Sequence, residues 1–180
     1  MKRKLTDIQE TLDVLYGFVD YSMTHMEQVP AGAFSLTKIT QLLHDMGNPQ
    51  RAYPCIHVAG TKGKGSVCAM LAAALRNAGF KVGLYTSPHL IRINERFQVN
   101  GVMISDQTII DIMNFILPFV DRAAPVSTFE IMTALAFEAF RLQKVDIAVI
   151  ETWLGGRLDA TNVLIPLVSV ITSISMDHMN

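Results

Sequence analysis

The 180 residues suffice for one full domain or for part of a larger one. Half of them are hydrophobic and 17% are charged, and the formal net charge is -1 with both signs interspersed. That balance leaves no basic stripe for nucleic acid or an anionic membrane, so small-molecule anions are the expected partners.

The high apolar content has two readings: parallel strands buried on both faces, or surface that further chain should cover. Met1-Lys2-Arg3-Lys4 is basic, but Leu5-Thr6-Asp7-Ile8-Gln9-Glu10 follows where an export signal needs an unbroken apolar core. The longest uncharged stretch, 160–176, contains Asn162 and Pro166 and falls short of the roughly 20 residues of a spanning helix. Cys55 and Cys68 read as small buried hydrophobes in a reducing compartment. Together these features predict a cytoplasmic protein without a membrane span.

In chain order, residues 6–9 have the spacing of a capping box, and Ile8, Leu12, Leu15 and Phe18 recur at helical spacing after it. A loop is predicted over 29–33. Ser35 then caps a helix over 36–46, with Leu36, Ile39, Leu42, Leu43 and Met46 on one face and Gly47 as its stop. His25 and His44 read as surface residues of these helices. Residues 53–59 form a short apolar segment rich in β-formers, and an apolar, alanine-rich run over 67–78 has helical character.

Between these two lies Gly60-Thr61-Lys62-Gly63-Lys64-Gly65-Ser66. Strand, glycine-rich loop and helix in that order make a phosphate-binding loop. Glycines bring backbone N–H groups close to an anion, the helix N-terminus adds positive potential, and Lys64 supplies an ammonium. Ser66 offers a hydroxyl to a metal ion. The spacing is shorter than the common P-loop pattern, which would place glycine at Val58 and Ser or Thr at Gly65.

Beyond Gly79 a second strand is predicted over 81–85, running into the loop Thr86-Ser87-Pro88-His89-Leu90. Asn100-Gly101 between 95–99 and 102–105 signals a type I′ hairpin. Ser105 or Asp106 caps a helix to about Val120, with Pro118 near its end. A second capping box at 127–130 opens the apolar helix 129–144. Strands follow over 145–150, closing on Glu151, and over 167–172. The alternation predicts an α/β domain with a mostly parallel sheet and helices on both faces.

In such sheets the ligand sits beyond the carboxyl ends of the strands. Here those ends carry the loop 60–66, Thr86 with Ser87, Glu151, and Asp177 with His178. Glu151 suits a hard cation that bridges to phosphate, although histidine is an unusual ligand for magnesium. The loop 152–162, dense in glycine, charge and amide, reads as a site loop.

At this point the chain resembles the folylpolyglutamate synthases and bifunctional dihydrofolate synthases, within the Mur-type amino-acid ligases. The carriers are His57 through Ser66, Thr86 through Leu90 with Ile93-Asn94-Glu95-Arg96-Phe97, Leu154 through Asn162, and Asp177-His178. The resemblance implies a Mur-ligase-type P-loop domain with a small β-hairpin insertion. It also implies ATP and Mg2+ as cofactors, pteroate or folate and L-glutamate as substrates, and a monomeric full-length form. In such ligases ATP phosphorylates a substrate carboxylate, and the glutamate amine attacks the acyl phosphate.

By the same resemblance Gly60, Thr61, Lys62, Gly63, Lys64, Gly65 and Ser66 bind ATP, and Ser87, Glu151 and His178 hold magnesium. Lys64, Glu151 and His178 are the catalytic set, while Thr128, Phe129, Asp159 and Ala160 line the pterin or folate pocket. Residues 1–180 correspond to the N-terminal part of the ATP-binding domain, without the C-terminal glutamate-binding domain, and on that reading the chain alone lacks ligase activity. Lys62 stands for a usual asparagine, Thr152-Trp153 for Val-Gly, and Ser175-Met176 for Gly-Leu. Two other readings stay open: a different P-loop kinase or NTPase, indifferent to pterins, and a non-catalytic nucleotide- or folate-binding module.

Overall fold

The structure, a computed structural model, describes residues 4–18, 35–120 and 126–175. The predicted loop at 29–33, His25, Asp177 and His178 lie outside them.

Helix α1 spans Ile8–Tyr16 and α2 spans Leu36–Asp45. Strand β1 (Cys55–Ala59) leads to α3 (Lys64–Asn77), and β2 (Val82–Tyr85) leads to the hairpin β3 (Phe97–Val99) and β4 (Val102–Met103). Then come α4 (Asp106–Ile116), α5 (Thr128–Leu142), β5 (Ile147–Glu151) and β6 (Val168–Ile171). The six strands form one sheet in the order β4-β3-β2-β5-β1-β6. The four from β2 to β6 are mutually parallel, and the hairpin adds an antiparallel margin.

Several ends follow directly from local chemistry. Ser35, Ser105 and Ser127 each accept a backbone N–H of the helix they open, and Glu130 returns the favour to the Ser127 N–H. Asn100 and Gly101 both take positive φ (53° and 78°), as a type I′ turn demands. Pro118 draws the end of the α4 segment into a short 3-10 turn over Leu117–Phe119, so the helix itself stops at Ile116 rather than near Val120. At the first helix the predicted capping box does not form. Asp7, not Thr6, is the cap, its Oδ1 accepting the N–H groups of Gln9 and Glu10 at 2.8 and 3.2 Å.

Helices do lie on both faces. On one, α3 packs Cys68 and Ala72 against Val58, Val82, Leu84 and Val149. On the other, α5 is buried on every side from Thr128 to Phe140, between the sheet and α1, α2 and α4. An all-round apolar helix is what a central position requires, and this one holds the main core together. Tyr53 Oη donates to the Phe137 carbonyl at 3.1 Å, fixing α5 to the entry of β1.

At Gly83 of β2 the helix α5 packs directly on the strand. A Cβ there would stand 2.8 Å from the Phe140 ring, which is itself fully buried. Gly83→Ala is therefore expected to cost about 1–3 kcal/mol through overpacking. Denaturant unfolding of the variant against wild type measures this, and an unchanged midpoint would refute the close contact.

Candidate functional site

Parallel pairing brings the carboxyl ends of β2, β5, β1 and β6 to one rim. In the β1–β5 register Val58 stands opposite Glu151, and the Thr152 N–H donates to the Val58 carbonyl at 2.9 Å. The phosphate loop thus leaves β1 immediately beside the carboxylate that ends β5.

The helix after this loop begins earlier than its apolar run, at Lys64, because Gly63 takes the left-handed conformation (φ 83°) needed to turn into it. Gly60 allows a close approach: at φ 135° a Cβ would fall 2.0 Å from Thr172 Oγ1. That hydroxyl donates to the Lys62 carbonyl at 2.8 Å, and the Ser173 hydroxyl donates to the same atom at 3.4 Å. The Thr61 N–H donates to the Ser173 carbonyl at 2.9 Å, and the Thr61 hydroxyl to the Ser175 carbonyl at 3.1 Å. The segment after β6 therefore clamps the loop along its backbone. Lys62 contributes its carbonyl to the clamp while its side chain is exposed.

Lys64 does not extend freely from the loop. Its Nζ donates back to the Gly60 carbonyl at 2.8 Å and lies 3.5 Å from that of Thr61. Glu151 is buried, and Oε2 accepts the Ser87 N–H at 2.9 Å. Burial pushes its carboxyl above the ordinary glutamate range, with the Ser87 N–H, Lys64 and Arg96 pulling the other way. A Cβ at Gly65 would lie 3.7 Å from both carboxylate oxygens, which places the first turn of α3 directly in front of Glu151. Ser66, in the same turn, is exposed.

This donor set is hard oxygen. One buried carboxylate, with Ser87 bonded to it through its N–H and Ser66 in the first turn of α3, fits magnesium, which keeps several waters and takes its remaining ligands from phosphate. Among the described residues no cluster of three His, Cys, Asp or Glu side chains competes with it as an all-protein cage. Cys55 and Cys68 are buried thiols pushed up to about 11 and 12 by burial, in keeping with a packing role.

The residues predicted to line a pterin pocket come together at the β5 end of the rim, but most are already engaged. Phe129 meets Trp153 at 4.9 Å between ring centroids and Tyr85 at 6.3 Å, and Tyr85 stacks on Phe97 at 5.6 Å. Trp153 is thus one end of an aromatic row. The Thr128 hydroxyl donates to the Leu15 and Phe18 carbonyls, joining α5 to α1. Ala160 is buried in the core.

Asp159 is buried and organises its own loop. Oδ2 accepts the N–H groups of Trp153 and Leu154 at 2.8 and 2.9 Å, and Oδ1 accepts the Thr161 N–H at 2.9 Å and its hydroxyl at 2.5 Å. Because the Thr161 hydroxyl donates to Asp159, it accepts from His57 Nε2 at 2.7 Å, which fixes the imidazole as the Nε2–H tautomer. His57 was marked in sequence only as part of a motif. Its partner lies 104 residues away, a distance that no local spacing signals. The clamp residues Thr172, Ser173 and Ser175 also went unpredicted.

Burial holds the His57 imidazole below its ordinary 6.5, with the Asp159 charge opposing. An unfolded chain takes up this proton near 6.5 and the folded one only at lower pH. The stability linked to His57 is therefore complete above 6.5 and lost as pH falls through the folded value. Unfolding midpoints at pH 8 and pH 5 are expected to differ less in His57→Gln than in wild type. Equal losses in the two proteins would refute the assignment.

No protein-family model matches the chain. It is 46% identical over 151 residues to a dihydrofolate synthase/folylpolyglutamate synthase of Bacillus subtilis, covering 81% of this chain and 35% of that protein. It is 42% identical over 147 residues to the folylpolyglutamate synthase of Lacticaseibacillus casei, covering 78% and 34%. Its fold superposes on a folylpolyglutamate synthase–AMPPCP–folate complex with a TM-score of 0.86 at 37% identity, over 97% of this chain and 42% of that one. The Thermotoga maritima folylpolyglutamate synthase gives 0.83 at 39% identity, over 94% and 38%. The chain spans about a third of the length of the curated relatives it matches. In sequence and in fold it corresponds to the N-terminal portion of a folylpolyglutamate/dihydrofolate synthase, of the Mur-ligase type.

Proposed function

We propose that this chain is the nucleotide-binding part of an ATP-dependent ligase that joins L-glutamate to pteroate or folate. The observation that carries the reading is the meeting of the clamped loop 60–66 with buried Glu151 at one sheet rim. Relatives with AMPPCP and folate or with ADP bound support the same ligand classes.

In this reading the N–H groups of the loop and of the first turn of α3 surround the ATP phosphates, and Lys64 neutralises their charge. Glu151 with Ser87 would hold magnesium, which supplies charge neutralisation at the phosphates. His178 belongs to the same proposed set. A substrate carboxylate oxygen attacks the γ-phosphorus and ADP leaves. The glutamate amine then attacks the acyl carbon, releases inorganic phosphate and gives up a proton to form the amide. Asp159 acts by shaping the loop from Trp153 to Thr161 against the aromatic row, the surface that would face a pterin. Glutamate binding and turnover require chain beyond these residues, in line with the share of the relatives that the match covers.

Calorimetric titration with magnesium–ATP tests this. Removing the charged donor in Lys64→Ala should cost about 1.5–3 kcal/mol of binding, a Kd increase of tenfold or more. Equal affinity in wild type and variant would sink the reading.

A further inference from the structure

The aromatic row at the β5 end of the rim reaches solvent through one member. Phe97 and Tyr85 are fully buried, and Phe129, with Tyr85 and Trp153 as ring neighbours, is 9% exposed. Rings so enclosed have little surface left for a ligand. Trp153, by contrast, is only partly buried, packed on the core through Phe129.

The loop does not need this indole to keep its shape. Asp159 fixes the backbone at 153 and 154 by accepting their N–H groups, which a residue of any type but proline would supply. By the resemblance, glycine is usual at 153, so the ring is a feature of this chain's own sequence. The same backbone bonds hold its attachment point still, and Phe129 backs it, so the indole is presented rather than loosely hung. Trp153 also lies two residues beyond Glu151, at most about 7 Å along extended chain. A flat ring resting on it stands close to the proposed magnesium site.

An indole offers a wide, electron-rich face that stacks best on a flat, electron-poor ring of similar size. A pterin is such a ring, bicyclic and rich in nitrogen. Adenine shares that chemistry in general terms, and the two are separable by titration.

We propose that Trp153 is the stacking platform for the pterin of the substrate and sets a preference for a flat bicyclic ring, with Phe129 as the support behind it. The inference rests on the proposed function.

Trp153 is the one tryptophan in the sequence, so its emission reports on the platform directly. Titration with pteroate, with magnesium–ATP present, is expected to quench that emission by more than half. The same titration with 4-aminobenzoate, which keeps the benzoate end and lacks the bicyclic ring, should leave it unchanged. By calorimetry Trp153→Ala should raise the pteroate Kd about tenfold, the loss of one stacked ring, and Trp153→Phe about threefold at most. A collapsed loop would weaken both variants alike, so recovery in Trp153→Phe separates stacking from folding. Neither substitution should alter the Kd for magnesium–ATP. Pteroate that fails to bind or binds without quenching, binding by Trp153→Ala as tight as wild type or tighter, or equal quenching by magnesium–ATP alone would overturn the proposal, the last by giving the platform to adenine. Lys64-dependent binding of magnesium–ATP would survive each of these outcomes, so failure of the platform is distinguishable from failure of the ligase reading.

Discussion

The parallel pairing of β1 with β5 is the constraint on which the site depends. It sets Val58 opposite Glu151, so the turn that must carry glycine and the strand end that carries the carboxylate emerge side by side. A shift of one residue in this register would send every β5 side chain to the opposite face and take Glu151 away from the helix start. The register is held by burial on both faces, α3 against one and α5 against the other. The same packing desolvates Glu151, so the forces that build the core also set the character of the carboxylate.

Much of this was legible in residue patterns. The β5 run Ile147–Glu151 is continuously apolar until its last residue, and Asn100-Gly101 marks its hairpin without help from tertiary structure. Ser35 and Ser127 sit where caps should sit. The misses share a physical cause. Thr6 and Asp7 are both acceptable caps, and the choice rests on backbone geometry that spacing does not encode. Helix α3 starts three residues before its apolar run because Gly63 can adopt positive φ, which hydrophobic periodicity cannot register.

The unpredicted parts of the site are tertiary in the same sense. His57 meets Thr161, and Thr61 meets Ser173 and Ser175, across more than a hundred residues. Asp159 was assigned to a pocket wall, and what spacing could not show is that its two oxygens take four donors from its own loop. Such a carboxylate fixes shape rather than offering a free charge, much as an Asx turn does at larger scale. Phe129, assigned to the same wall, packs against Trp153 with the two rings tilted by 33°.

The folded-back Lys64 has a consequence for selectivity. Its ammonium already has acceptors in the Gly60 and Thr61 carbonyls, so an anion gains only the difference between its own hydrogen bonds and those it displaces. A lone chloride or sulfate offers little beyond that exchange. A polyphosphate that also engages the N–H groups of the α3 turn repays it several times over. The lysine thus works as a threshold, passing over weak anions and responding to ligands long enough to grip the loop at several points at once.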